Sequence, residues 1–112
     1  MRKKMSSNEF RWPFAKHRLS WIAQADRISN DAADLYEESE FAGSNGLKKL
    51  KRSASLYEHA AEFYKKAGLG LASQNSYWTA AEVWENAGDD LSAKHCEEKA
   101  MAITTFWGGD DE

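Results

Sequence analysis

Histidine, cysteine and clustered carboxylates are the side chains from which this chain could build a reactive centre, and their spacing argues against one. The residues three positions before His17, His59 and His95 are Phe14, Leu56 and Ser92, so the Glu-x-x-His pattern of helix-borne di-iron sites is absent. No His-x-x-x-His occurs, which removes the helical zinc pattern. His95 and Cys96 are adjacent, and on a helix they point about 100° apart, too divergent to share one ion. Cys96 falls on an apolar stripe with Ala93 and Ala100, as a packed structural thiol does. Gly68-x-Gly70 lacks the preceding strand that a phosphate-binding fingerprint requires. Glu37, Glu38 and Glu40 crowd a helix end on a polar face, where solvation accounts for them. The expectation is a non-enzymatic chain without catalytic residues, cofactor or metal.

The side chains suited to recognition are aromatic and cationic. The chain holds 5 Trp, 4 Tyr and 5 Phe in 112 residues, and large aromatics with arginine are the side chains that anchor interfaces. Trp78 shares a helical sector with Leu71, Gln74, Glu82 and Glu85. It is either a binding anchor or a residue covered by a neighbouring helix or the N-terminal segment. Phe10, Trp12 and Phe14 lie in a basic stretch that either folds back over the helices or docks on a partner, and folding back avoids leaving three exposed aromatics together. His59 and Arg52 complete the polar-face candidates. Lys48, Lys49, Lys51 and Arg52 could contact phosphate, although cations at a helix start oppose the macrodipole.

Helices must position all of these. After residue 17 apolar residues recur at spacings of three and four, without strand alternation. Glycines at Gly43, Gly46, Gly68, Gly70, Gly88 and Gly108-Gly109 sit where helices would end in a left-handed residue. The spacing predicts helices over 18–42, 47–67, 71–87 and 90–106, an extended arm over 1–17 because Pro13 disfavours helix at Trp12, and an acidic tail over 108–112. On the second helix Leu47, Leu50, Ala54, Tyr57, Ala61 and Tyr64 form one stripe, and Leu56, Ala60, Phe63 and Ala67 a second beside it. Together they span about 200°, so this helix is expected to be sandwiched.

One string recurs three times: Ala32-Ala33-Asp34-Leu35-Tyr36, Ala60-Ala61-Glu62-Phe63-Tyr64 and Ala80-Ala81-Glu82-Val83-Trp84. Paired alanines let helix backbones approach, and the aromatic one turn later fills the space beside a small residue opposite. Over residues 54–104 the chain resembles the tetratricopeptide family, and more closely the long-helix vesicle-fusion adaptors of the SNAP type. The resemblance rests on Tyr57, Ala61, Tyr64, Gly68 and Ala80, and on Tyr77, Ala81, Trp84, Gly88, Ala93 and Ala100. Glu97 stands where an aromatic is expected and Thr105 where a closing proline is. Copies also recur at about 20 residues instead of 34, so each helix would serve two successive hairpins. The resemblance implies an all-α array of about four antiparallel helices that binds a protein or peptide in a groove between them.

Charge comes in blocks: net +5 over residues 1–18, −5 over 26–46, +4 over 47–66 and −7 over 82–112, for a total of −3. Attraction between neighbouring helices explains the alternation. The alternative is a small nucleic-acid-binding subunit using the basic arm and residues 48–52. No apolar run is long enough to span a membrane. The start Met-Arg-Lys-Lys has no apolar segment after it, so it does not read as a secretory signal. With one cysteine, a cytoplasmic location is expected. Two hairpins leave open edges, which self-association or a larger assembly would cover. The expected role is therefore a small adaptor or subunit, with Trp78, Gln74, Glu82, Glu85, His59, Arg52, Trp12 and Phe14 meeting the partner.

Overall fold

The computed structural model describes the backbone of residues 2–111 and the side chains of residues 17–103. Four helices follow one another: α1 (Arg2–Ser39), α2 (Gly46–Lys66), α3 (Gly70–Asn86) and α4 (Asp90–Asp111), with a single 3-10 turn at Gly43–Asn45 before α2. Each helix packs on its sequence neighbours, α1 on α2, α2 on α3 and α3 on α4. The all-α, antiparallel helical-hairpin arrangement expected from the repeat is therefore present, and α2 is sandwiched as its two stripes require.

The repeat explains how the hairpins close. Ala32, Ala60, Ala61, Ala80 and Ala81 are all buried, which lets neighbouring backbones come close enough for side-chain pins. The Ser53 hydroxyl on α2 donates to the Ala32 carbonyl on α1 at 2.7 Å, and the Ser73 hydroxyl on α3 donates to the Ala61 carbonyl on α2 at 2.8 Å. Both serines are fully buried, so each satisfies its hydroxyl on a repeat alanine of the preceding helix.

Helix ends are shaped by the glycines. Gly68 and Gly88 adopt φ +80° and +82°. The amide after each reaches back five residues, Leu69 N–H to the Tyr64 carbonyl and Asp89 N–H to the Trp84 carbonyl, both at 2.9 Å. This is the Schellman closure, and in both copies its acceptor is the aromatic of the repeat. Arg18 caps α2 from α1, its Nε donating to the Ala67 carbonyl at 2.7 Å, a cation at the negative end of the helix dipole.

Contacts two helices apart define two staggered rows. Asn86 of α3 donates to the Tyr36 hydroxyl of α1 at 3.0 Å. On the other side Ala61 of α2 and Ala100 of α4 enclose Tyr77 of α3, with Ile103. So α1 and α3 form one row and α2 and α4 the other. The extents of 63 × 29 × 14 Å match this flat arrangement, and the radius of gyration of 17.1 Å exceeds the roughly 13 Å of a compact domain of about this length.

Two expectations at the termini are corrected. The arm read as extended over 1–17 is helical in its backbone, since α1 begins at Arg2. Proline in a helix forfeits one hydrogen bond and disfavours its predecessor, but the arginines, lysines, methionine and alanine around it are good helix formers. At the other end α4 runs to Asp111, past Gly108-Gly109, because glycine permits a left-handed stop without compelling one.

Candidate interaction surface

On the α2–α4 side, α3 packs Tyr77 and Trp84 against its two neighbours. Tyr77 is 1% exposed, and its hydroxyl donates to Glu62 Oε2 on α2 at 2.7 Å. One helical repeat further on, the Trp84 indole N–H donates to Glu58 Oε2 at 2.6 Å. From α4, Lys99 places its ammonium 5.6 Å from the centre of the Tyr77 ring, within cation–π range. Cys96, also on α4 and buried, has its thiol pushed up to about 12 by burial first and by the charge and hydrogen bond of Glu58 next. It is a packed thiol, as its stripe position predicts. Burial and then the hydrogen bond to Glu62 raise the Tyr77 phenol above its ordinary value.

Beside these residues, on the outer arc of α2, lies an open cavity of about 410 Å³ lined by Ser55, Glu58, His59, Glu62, Phe63 and Lys66, all on this one helix. Lys66 holds its ammonium 5.5 Å from the Phe63 ring centre. The His59 Nδ1 pairs with the Ser55 carbonyl at 2.9 Å, which orients the ring along the helix. The cavity combines a half-buried aromatic floor with an imidazole, an ammonium and two carboxylates that already each accept one hydrogen bond.

The candidate residues divide between the two sides. His59 lines the cavity, and Arg52 is exposed two turns before it on the same arc. Trp78, Glu82 and Glu85 are exposed on the part of α3 turned away from Tyr77 and Trp84. Trp78 is 39% exposed and shares that stripe with Leu71, 72% exposed. Gln74 is half-buried and donates to the Ala100 carbonyl at 3.3 Å, so it ties α3 to α4. Trp12 and Phe14 have side chains outside the described residues.

The basic run at the start of α2 is also divided. Lys49 turns towards α1 and pairs with Glu38 at 2.9 Å, the one ion pair among the described residues, while Lys48, Lys51 and Arg52 are exposed. Alternating charge blocks thus yield one bridge between helices and leave most of the α2 block facing outward.

Sequence reasoning missed Ser55, Glu58, Glu62, Phe63 and Lys66. Their signal was present: Ser55, His59, Glu62 and Lys66 recur at spacings of four, three and four on a helix whose apolar stripes leave only that arc free. No protein-family model matches the chain, and no curated protein or solved structure matches it.

Proposed function

We propose that this chain is a non-enzymatic interaction module, a small adaptor or subunit that binds a protein or peptide along the α2–α4 side of its helical array. The observation that carries the reading is the cavity on the outer arc of α2, floored by Phe63 and edged by His59 and Lys66. Its carboxylates are engaged by an indole and a phenol, so the site offers shape, an aromatic floor and peripheral charge. The tetratricopeptide-like repeat of the sequence supports the same role. Trp78 with Leu71 on α3 is a smaller second surface on the other side.

Capture from source-cell extract with the wild type, His59→Glu and Trp78→Ala tests this. The expected result is a specific partner lost with His59→Glu and kept with Trp78→Ala. Loss with Trp78→Ala alone would move the site to the outer face of α3, and no specific partner with the wild type would overturn the reading.

The nucleic-acid alternative draws on the exposed Lys48, Lys51 and Arg52. It requires affinity for DNA or RNA that falls steeply between low and physiological salt.

A further inference from the structure

Resting on the module reading, the charge pattern around the cavity points to its partner: we infer that the α2 face takes an extended acidic peptide. Lys48, Arg52, Ser55, His59, Glu62 and Lys66 follow one another at spacings of four, three, four, three and four. At 3.6 residues per turn they fall within one arc of about 80°. Along this line the cations Lys48, Arg52 and Lys66 have no carboxylate partner among the described residues, and Lys66 instead lies over Phe63. Lys51, at the margin of the arc, lies towards Asp89, whose carboxyl is held below its ordinary value first by hydrogen bonds from the Ser92 amide and hydroxyl and last by this ammonium. On α4, Lys99 adds a further cation, over the Tyr77 ring. The carboxylates on this side, Glu58 and Glu62, each accept a hydrogen bond from α3.

The first turn of α2 contains no acidic residue, and its cations stand where the helix dipole disfavours them. A local cost without a local benefit is what a functional surface leaves in a sequence. On that surface the cavity centres on His59, and Arg52 and Lys66 stand seven residues to either side. At 1.5 Å per residue that separation is about 10.5 Å, which an extended peptide covers in three residues at about 3.3 Å each. Side chains of an extended peptide that face the helix recur at every second residue, so about seven residues with acids towards both ends reach from Arg52 to Lys66. A nucleic-acid strand fits less well, because Glu62 interrupts the cations and would oppose an unbroken run of phosphates.

The test is selection of a random 12-residue peptide library on the immobilised full chain. A synthetic acidic 12-mer, its lysine-for-acid counterpart and a single-stranded DNA 12-mer then follow in fluorescence titration at physiological salt. The expected result is enrichment of peptides rich in aspartate and glutamate. Arg52→Ala and Lys66→Ala should each weaken binding of the acidic 12-mer about two- to fivefold, as exposed ion pairs do, and Trp78→Ala should leave it unchanged. Enrichment of basic or uncharged peptides would overturn the inference and leave the module reading standing. Absence of any enriched peptide would overturn the inference, with the capture experiment then deciding the module reading separately. DNA bound as tightly as the acidic peptide, and weakened by the same two variants, would overturn it in favour of nucleic acid.

Discussion

Glu58 shows how much of this fold depends on single polar contacts in a thin core. The buried residues are mostly alanine, and Tyr77 and Cys96 head the fully buried side chains by volume. Neither can be held by bulk hydrophobic packing alone, and both carry polar atoms that must find acceptors. Glu58 serves Trp84 and Cys96, and Glu62 serves Tyr77. The consequence is a specific weakness at alkaline pH. The native Cys96 thiol ionises near 12 against an ordinary 9.0, for burial first and Glu58 second, and Tyr77 is shifted in the same direction from 10.0. Both groups hold their protons more tightly when folded, so the stability they contribute is complete below about pH 9. It is lost as the pH climbs from there towards 12, because the unfolded chain releases the protons first. Denaturant unfolding at pH 8 and pH 10.5 should show a clear loss for the wild type and a smaller one for Cys96→Ala. Equal losses in the two proteins would remove the thiol from the account.

Among the elements, the loops are governed by two different demands on glycine. Gly88 sits at φ +82° with open space where a Cβ would go, whereas Gly46 has an ordinary helical backbone but a Cβ there would stand 2.7 Å from the Ser39 carbonyl oxygen. Gly88→Ala should cost about 1–2 kcal/mol through backbone strain. Gly46→Ala should cost about 1–3 kcal/mol through forced separation of α1 and α2. Asparagine, which tolerates the left-handed region, distinguishes the causes: Gly88→Asn should recover part of the loss in thermal unfolding and Gly46→Asn none. These glycines also mark what was legible beforehand. The start of α2, both ends of α3 and the start of α4 fall within about a residue of their expected positions, because apolar stripes and left-handed glycines coincide there. The buried face of α1 is similarly legible in Ala25 and Ala32. Residues 2–17 were misread because Pro13 was given more weight than the helix formers around it. The cavity was illegible for a geometric reason. Whether the outer arc of α2 and the Trp78 arc of α3 face one groove depends on the direction in which each neighbour packs, and periodicity along one helix does not contain that direction. His59 and Arg52 were therefore grouped with Trp78, although the staggered rows place them on opposite sides.

At the scale of the whole molecule, a flat array differs from a globule in how stability is shared. Packing runs from α1 to α2, α2 to α3 and α3 to α4, and contacts two helices apart are confined to such bridges as Asn86 with Tyr36 and the Tyr77 cluster. Arrays of this kind behave as chains of nearest-neighbour interfaces, in which one interface can fail while others persist. The array is also electrically two-sided. Its α1–α3 row displays Asp31, Asp34, Glu37, Glu82 and Glu85 as exposed acids, and α2 displays Lys48, Lys51, Arg52, Lys65 and Lys66 on or beside its outer arc. A partner recruited by charge therefore meets one side and avoids the other. Both properties can be separated by loosening α4, whose interface with α3 includes Ala93 and Cys96 against Ala80 and Ala81. Ala93 is 2% exposed, so Ala93→Leu must push the two helices apart, at about 1–3 kcal/mol for overpacking. If the interfaces are semi-independent, amide hydrogen exchange in residues 93–103 should accelerate about tenfold or more, as that energy implies. Amides in residues 25–36 and 53–64 should keep their protection, and affinity for the acidic peptide should fall only slightly, since Arg52, His59 and Lys66 all lie on α2. Uniform acceleration across the four helices would instead make the array a single cooperative unit, and the staggered rows would have to be treated as one core.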